Sequence, residues 1–203
     1  IATQQTGFWI LGQARNWLPD EIGGILWFGV DDAALSCLTP VYSSGVRVPH
    51  CFAHGNGNMT TYSPTSAFWL FNRVAQFAYL RYNLLAPEVQ KTANEHELGS
   101  MQIIPTVDEE ALRLYNTEPE KVKEYLTVWS EKFADRLFKK WKELDEYLLV
   151  KYIDGNVKKQ NPDGTFKDNG FGRGIPDNPS QPGYSEHWKE QVVKDTKEHL
   201  MVK

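Results

Sequence analysis

Apolar residues fall into three textures along the chain. Two short runs open it, Gly7-Phe8-Trp9-Ile10-Leu11-Gly12 and Ile22 to Val30. Both are almost continuously apolar, the pattern of strands covered on both faces. Asn16, Pro19 and Asp20 between them supply turn chemistry. Leu38-Thr39-Pro40-Val41-Tyr42 fits a third, short strand, and its proline puts that strand at an edge or ends it. A sandwiched sheet is expected, yet this chain supplies few strands to build one.

The second texture is helical. Ser63 and Pro64 form a start signal, a side-chain cap followed by proline. The helix predicted over Ser66–Leu85 is apolar nearly all round, with Phe68, Trp69, Leu70, Phe71, Val74, Phe77, Ala78 and Leu80, and so reads as buried. Pro87 is expected to open the next helix, which ends near Gly99. Thr106 with Glu109, and Thr117 with Glu120, have capping-box spacing. From Thr117 one helix is expected to run to about Tyr152. Its stripe is Val122, Tyr125, Leu126, Trp129, Phe133, Leu137, Trp141, Leu144 and Leu148, opposite a Lys- and Glu-rich face.

After Asp154-Gly155 the third texture begins, rich in Gly, Pro, Asn and Asp and poor in aliphatics. Residues 155–184 read as a long irregular arm, and Ser185–Leu200 as a short helix with Trp188, Val192, Val193 and Leu200 toward one side. The organisation expected is therefore a strand-rich part (1–62), a helical region (63–154) and an arm with a terminal helix (155–203).

Composition narrows the function. The chain has 203 residues, 41% hydrophobic and 24% charged, with a net charge of −4. Nothing favours nucleic acid, whose partners carry basic patches. No window approaches the roughly 18 consecutive apolar residues of a membrane helix. The aromatic content, 13% with seven Trp, is high. It suits large packed surfaces, or surfaces that another polypeptide covers.

The candidate chemistry is thin. His50-Cys51-Phe52-Ala53-His54 invites a metal reading, but His96, His187 and His199 add no companion spacing, so neither metal nor cofactor is expected. His54-Gly55-Asn56-Gly57-Asn58 lacks the Gly-Lys-Ser/Thr ending of a phosphate loop and reads as a tight turn. Asp31 and Asp32 close the second strand, where neighbours point to opposite faces, so they are not expected to pair. Glu95, Glu97, Glu109 and Glu110 read as helix-surface charges. Cys37 and Cys51 do not sit at helix starts, where a thiolate is favoured, and whether they bridge is open. Two cations stand out. Arg73 in an apolar helix reads as one half of a structural ion pair or as a snorkelling side chain, and Arg15 after the first strand as a side chain near a cleft.

The stretches TQQTGFWILGQARNWLPDEIGGILWFGVDD, CLTPVY, YSPTSAFWLFNRVAQFAYLRY and PGYSEHWKEQVVKDTKEHL, taken in order, resemble the carboxy-terminal part of bacterial cysteine dipeptidases of the N-terminal-nucleophile hydrolase superfamily. Such a resemblance implies an α+β fold with a four-layer αββα core, held here in part. It also implies a nucleophilic cysteine exposed as the first residue of the mature enzyme, with its own α-amino group as base. Exported, periplasmic or cell-surface relatives are common, although the chain shows no leader of its own. Ile1 departs from the pattern. The nucleophile is therefore expected upstream of Ile1, on an amino-terminal part with which these strands pair. No catalytic residue is carried over, and Arg15 is the candidate for substrate binding. The expected partners are that missing part and a dipeptide, with homo-oligomerisation open. A non-catalytic, aromatic-rich module that binds peptide or sugar is the alternative.

Overall fold

A computed structural model describes residues 2–200; Ile1 and residues 201–203 lie outside it, as do the side chains of Glu198 and Leu200. The fold is α+β, as expected, with antiparallel strands first and helices after. Its contacts divide the chain into two compact units, 1–146 and 147–203.

In the first unit β1 (Phe8–Ala14), β2 (Gly24–Val30) and β3 (Thr39–Tyr42) form an antiparallel sheet with β2 in the centre. Phe8 faces Val30 and Ala14 faces Gly24 across one ladder, and Ile25 faces Tyr42 across the other. Pro40 lies on β3, an edge strand, where its missing N–H is tolerated. A one-turn helix, α1 (Asp20–Gly23), joins β1 to β2. Gly23 is required there, since a Cβ would stand 2.9 Å from the Arg15 carbonyl oxygen. Gly29 is required for a similar reason. The Trp9 indole lies over it and would meet a Cβ at 2.5 Å.

The alternation of β2 sends Ile25 and Trp27 into a core with Tyr42, Ile104, Val107, Ala111, Leu114, Val122 and Leu126. The continuous apolar runs are not covered on both faces within this chain. Phe8, Ile10 and Leu11 on β1 are 62%, 55% and 52% exposed. Apolar continuity records that a strand wants apolar neighbours; it does not say that this stretch of chain supplies them.

Helix α2 (Ala67–Leu80) buries Ala67, Leu70, Phe71, Val74, Ala75 and Ala78, while Leu80 is exposed. It is an amphipathic helix, not one apolar on every side, and it stops at Arg81 instead of Leu85. Helix α3 (Tyr82–Thr117) then runs straight through Pro87, Gly99 and Pro105. The expected start at Pro87, the end near Gly99 and the cap at Thr106 are all overridden. Proline costs about 3 kcal/mol and glycine about 1 kcal/mol inside a helix. The stripe Leu85, Val89, Ala93, His96, Ser100, Ile104, Val107, Ala111 and Leu114 offsets this by burial along the full length. Thr117 caps nothing; its hydroxyl donates back to the Arg113 carbonyl. After a 3₁₀ turn, α4 (Val122–Tyr152) begins, with Val122, Leu126, Leu137, Trp141, Leu144 and Leu148 buried as expected. Phe71 of α2 stacks on Trp141 of α4 at 4.3 Å between centroids.

In the second unit residues 155–184 are irregular but tied. Isolated bridges join Val157 to Ser180, Gln160 to Phe166 and Asp168 to Pro176. Ser185 caps α5 (Glu186–Thr196), its hydroxyl accepting from the Trp188 N–H at 3.2 Å.

Candidate functional site

The end of β2 carries the polar feature that the sequence pattern did not foresee. Asp31 follows the strand with φ +66°, a left-handed conformation that costs an aspartate little compared with bulkier residues. That turn breaks the alternation of the strand. Asp31 and Asp32, both buried, therefore face the same helix instead of opposite sides. The Asn72 carboxamide donates to Asp31 Oδ1 at 2.7 Å, and the Tyr79 hydroxyl donates to Asp32 Oδ2. Asn72 and Tyr79 lie seven residues apart, two turns along one face of α2. Asp32 Oδ1 also accepts from the Ala34 N–H at 3.0 Å. Burial pushes the Asp31 carboxyl above its ordinary range, and the Asn72 bond opposes that shift. The Tyr79 phenol is pushed up to about 12, chiefly by its bond to Asp32. Among the described residues Asp31 Oδ2 has no hydrogen-bond partner.

Beside this strand end lies a cavity of about 330 Å³, which Gly7 and Val30 help to line. Its walls are chiefly Phe8 and Phe28 of the sheet, Phe52 and Met59 of the following loop, and Phe68 and Trp69 of α2. Phe28 and Phe52 meet edge to face at 5.1 Å, while Phe8 stacks on Phe28 at 6.2 Å. The loop wall is fixed by Asn56. Its Nδ2 donates to the carbonyls of His50 and Thr65, both at 3.0 Å. Its Oδ1 accepts from the hydroxyls of Ser63 at 2.6 Å and Thr65 at 2.9 Å. Gly55 and Gly57 take positive φ, so the segment is the tight turn that its glycines imply. Ser63, expected to cap α2, is drawn into this loop instead.

Arg15 is buried. Its guanidinium pairs with Asp108 and donates to the carbonyls of Ile22 at 2.7 Å and Gly23 at 3.3 Å. The Tyr42 hydroxyl donates to the other Asp108 oxygen at 2.7 Å. Contact between Arg15 and a substrate would require this pair to open. Arg73 pairs with Asp145 at 2.5 Å, the structural ion pair expected of it. His50 and His54 are exposed, and His50 Nε2 lies 3.4 Å from the Thr65 hydroxyl. Cys37 and Cys51 are both free and buried. Burial pushes the Cys37 thiol well up, and the Cys51 thiol up to about 12. Neither is a thiolate near neutral pH.

Residues 1–95 match Peptidase family C69. This is a family of cysteine dipeptidases, so the resemblance to cysteine dipeptidases is borne out over that stretch. The chain is also 28% identical over 138 residues to Probable dipeptidase B of Lactococcus lactis subsp. lactis (strain IL1403). Those residues are 68% of this chain and 27% of that protein, so the chain spans little more than a quarter of the relative it matches. The C69 match contains the whole sheet, the Asp31–Asp32 cluster, every wall of the cavity and all of α2. Asp108, the partner of Arg15, lies beyond it.

Sequence reasoning missed Asn56, Asn72 and Tyr79. Asn72 did carry a signal, an amide directly after the apolar segment Ala67-Phe68-Trp69-Leu70-Phe71 and before Val74, which asks for a buried partner. Asn56 was visible only as turn chemistry, since its partners lie up to nine residues away.

Proposed function

We propose that this chain is part of a cysteine-type dipeptidase of the N-terminal-nucleophile kind, whose attacking thiol lies outside it. The observation that carries this reading is the C69 match over the part that holds the sheet, the two acids bonded to α2 and the cavity. Similarity to a protein named as a probable dipeptidase points the same way. Two features of the structure support it. Both cysteines present are buried and held as thiols, so neither suits nucleophilic attack. The outer edge of β1 is also unpaired among the described residues. The ladder bonds from Arg15 to Gly23 and from Asp31 to Gly7 fix the register. They leave the backbone groups of Phe8, Ile10, Gly12 and Ala14 pointing away from β2. A further strand of the same protein, continuing the sheet toward an αββα core, would satisfy them.

In this reading the thiolate of an exposed amino-terminal cysteine attacks the peptide carbonyl, with its own α-amino group as base. The tetrahedral intermediate collapses to a thioester, the second amino acid leaves and water releases the first. Arg15 is kept in this reading as the candidate cation for substrate; it is buried in its pair with Asp108 and lines no part of the aromatic cavity. The test is hydrolysis of a dipeptide panel by the protein encoded by the full reading frame. Activity lost on Cys→Ala at the mature amino terminus supports the reading. Activity that survives that change, or ligand binding with no hydrolysis, overturns it; the second result favours a binding module.

A further inference from the structure

We propose that the aromatic cavity beside β1 and β2 is the pocket that receives an apolar side chain of the dipeptide, aromatic or large aliphatic. This rests on the dipeptidase reading. Its volume of about 330 Å³ falls within the roughly 300–1,000 Å³ of small-molecule sites. No carboxylate, guanidinium, ammonium or imidazole lines it, and its single ionisable wall group is the buried thiol Cys51. A charged side chain would lose water there and gain no counter-charge.

Most polar groups at the walls are already engaged. The Asn56 amide uses both donors and accepts twice, all within its own loop. Trp69 Nε1 donates to the Thr61 carbonyl at 3.1 Å, and Asn58 Oδ1 accepts from the N–H and hydroxyl of Thr60. Apart from the Ser66 hydroxyl and the Asn58 amide nitrogen, the walls present chiefly ring face and edge, which rewards apolar area. The loop wall is also closely packed at Gly57. A Cβ at Gly57 would meet the Thr61 oxygen at 3.0 Å and Trp69 Nε1 at 3.3 Å. A pocket set before the ligand arrives loses little to ordering.

The test uses the full-length protein and dipeptides in which each position in turn is Gly, Ala, Leu, Phe, Asp or Lys. The readout is the ratio of kcat/KM for Phe or Leu over Ala at one position, for wild type, Phe68→Ala and Ala53→Leu. Phe68 is a half-buried wall residue on the first turn of α2, and Ala53 lies on the loop wall. Wild type is expected to favour Leu and Phe. Phe68→Ala should lower that ratio by about tenfold or more, within the range by which apolar pockets discriminate. Ala53→Leu, which fills the cavity, should penalise Phe more than Ala. Ratios unmoved in folded variants overturn the pocket and leave the dipeptidase reading standing, the result expected if polypeptide of the same protein fills the space. A wild-type preference for Lys overturns the apolar assignment in favour of cation–π binding. Absence of hydrolysis across the whole panel overturns both.

Discussion

The Asn72 side chain holds Asp31 by a 2.7 Å hydrogen bond, and that bond joins α2 to the one left-handed residue at the end of β2. Removing the donor leaves a buried carboxylate oxygen without a partner, which costs about 1–3 kcal/mol. Asn72→Ala should therefore lower the melting temperature clearly. Asp31→Asn should be much milder, since asparagine tolerates the left-handed region. Thermal denaturation followed by circular dichroism decides between these outcomes, and equal losses would refute the account.

Trp141 predicts a contrast between two substitutions. It is fully buried, stacked on Phe71, and its Nε1 has no hydrogen-bond partner among the described residues. Trp141→Ala opens a cavity and should cost about 3–5 kcal/mol. Trp141→Phe keeps a ring against Phe71 and deletes the orphaned N–H, so it should cost less than about half of that. Denaturant unfolding of both variants measures the difference.

The Arg15–Asp108 pair should behave as a coupled unit. Asp108→Ala strands a buried guanidinium and the Tyr42 hydroxyl together, an expected loss of about 3–5 kcal/mol. The double change Arg15→Met with Asp108→Leu removes both charges and should be less damaging than the two single losses added. A double-mutant cycle in urea reads the coupling. Strict additivity would show that the pair is not the unit described.

His96 sets a pH dependence. It is buried, its Nε2 lies 3.2 Å from the Thr39 hydroxyl, and burial with nearby Lys140 holds its imidazole down at about 4. In the unfolded chain it titrates near 6.5. Between those values the unfolded state binds the extra proton. The stability from neutral His96 is present above about pH 6.5 and is lost as pH falls toward 4. That loss is roughly 3 kcal/mol. His96→Gln should flatten this part of the profile, measured by chemical denaturation at stepped pH.

Much of this fold was legible from period alone. The stripe from Val122 to Leu148 and the strand pair about Pro19 and Asp20 follow from spacing and turn residues. What failed was local punctuation set against packing. Pro87, Gly99 and Pro105 each look like a boundary, yet one helix passes through all three because its buried face is continuous. The candidate site was harder still. One left-handed residue, Asp31, turns two acids expected to diverge toward one helix, and no pattern of alternation shows such a residue in advance. Asn56 and Asn72 work through partners that only the folded chain brings near.

β1 bears Phe8 and Ile10 toward one side and Leu11 toward the other, all widely exposed. Sliding this strand by one residue against β2 would exchange one greasy set for another at little hydrophobic penalty. Polar pegs therefore have to key the alignment: Trp9 Nε1 on the Ser36 hydroxyl and Trp27 Nε1 on Gln13 Oε1, each at 2.9 Å. Two indole N–H groups, and the hydroxyl and amide that accept them, add to the ladder bonds in setting how faithfully this hairpin zips.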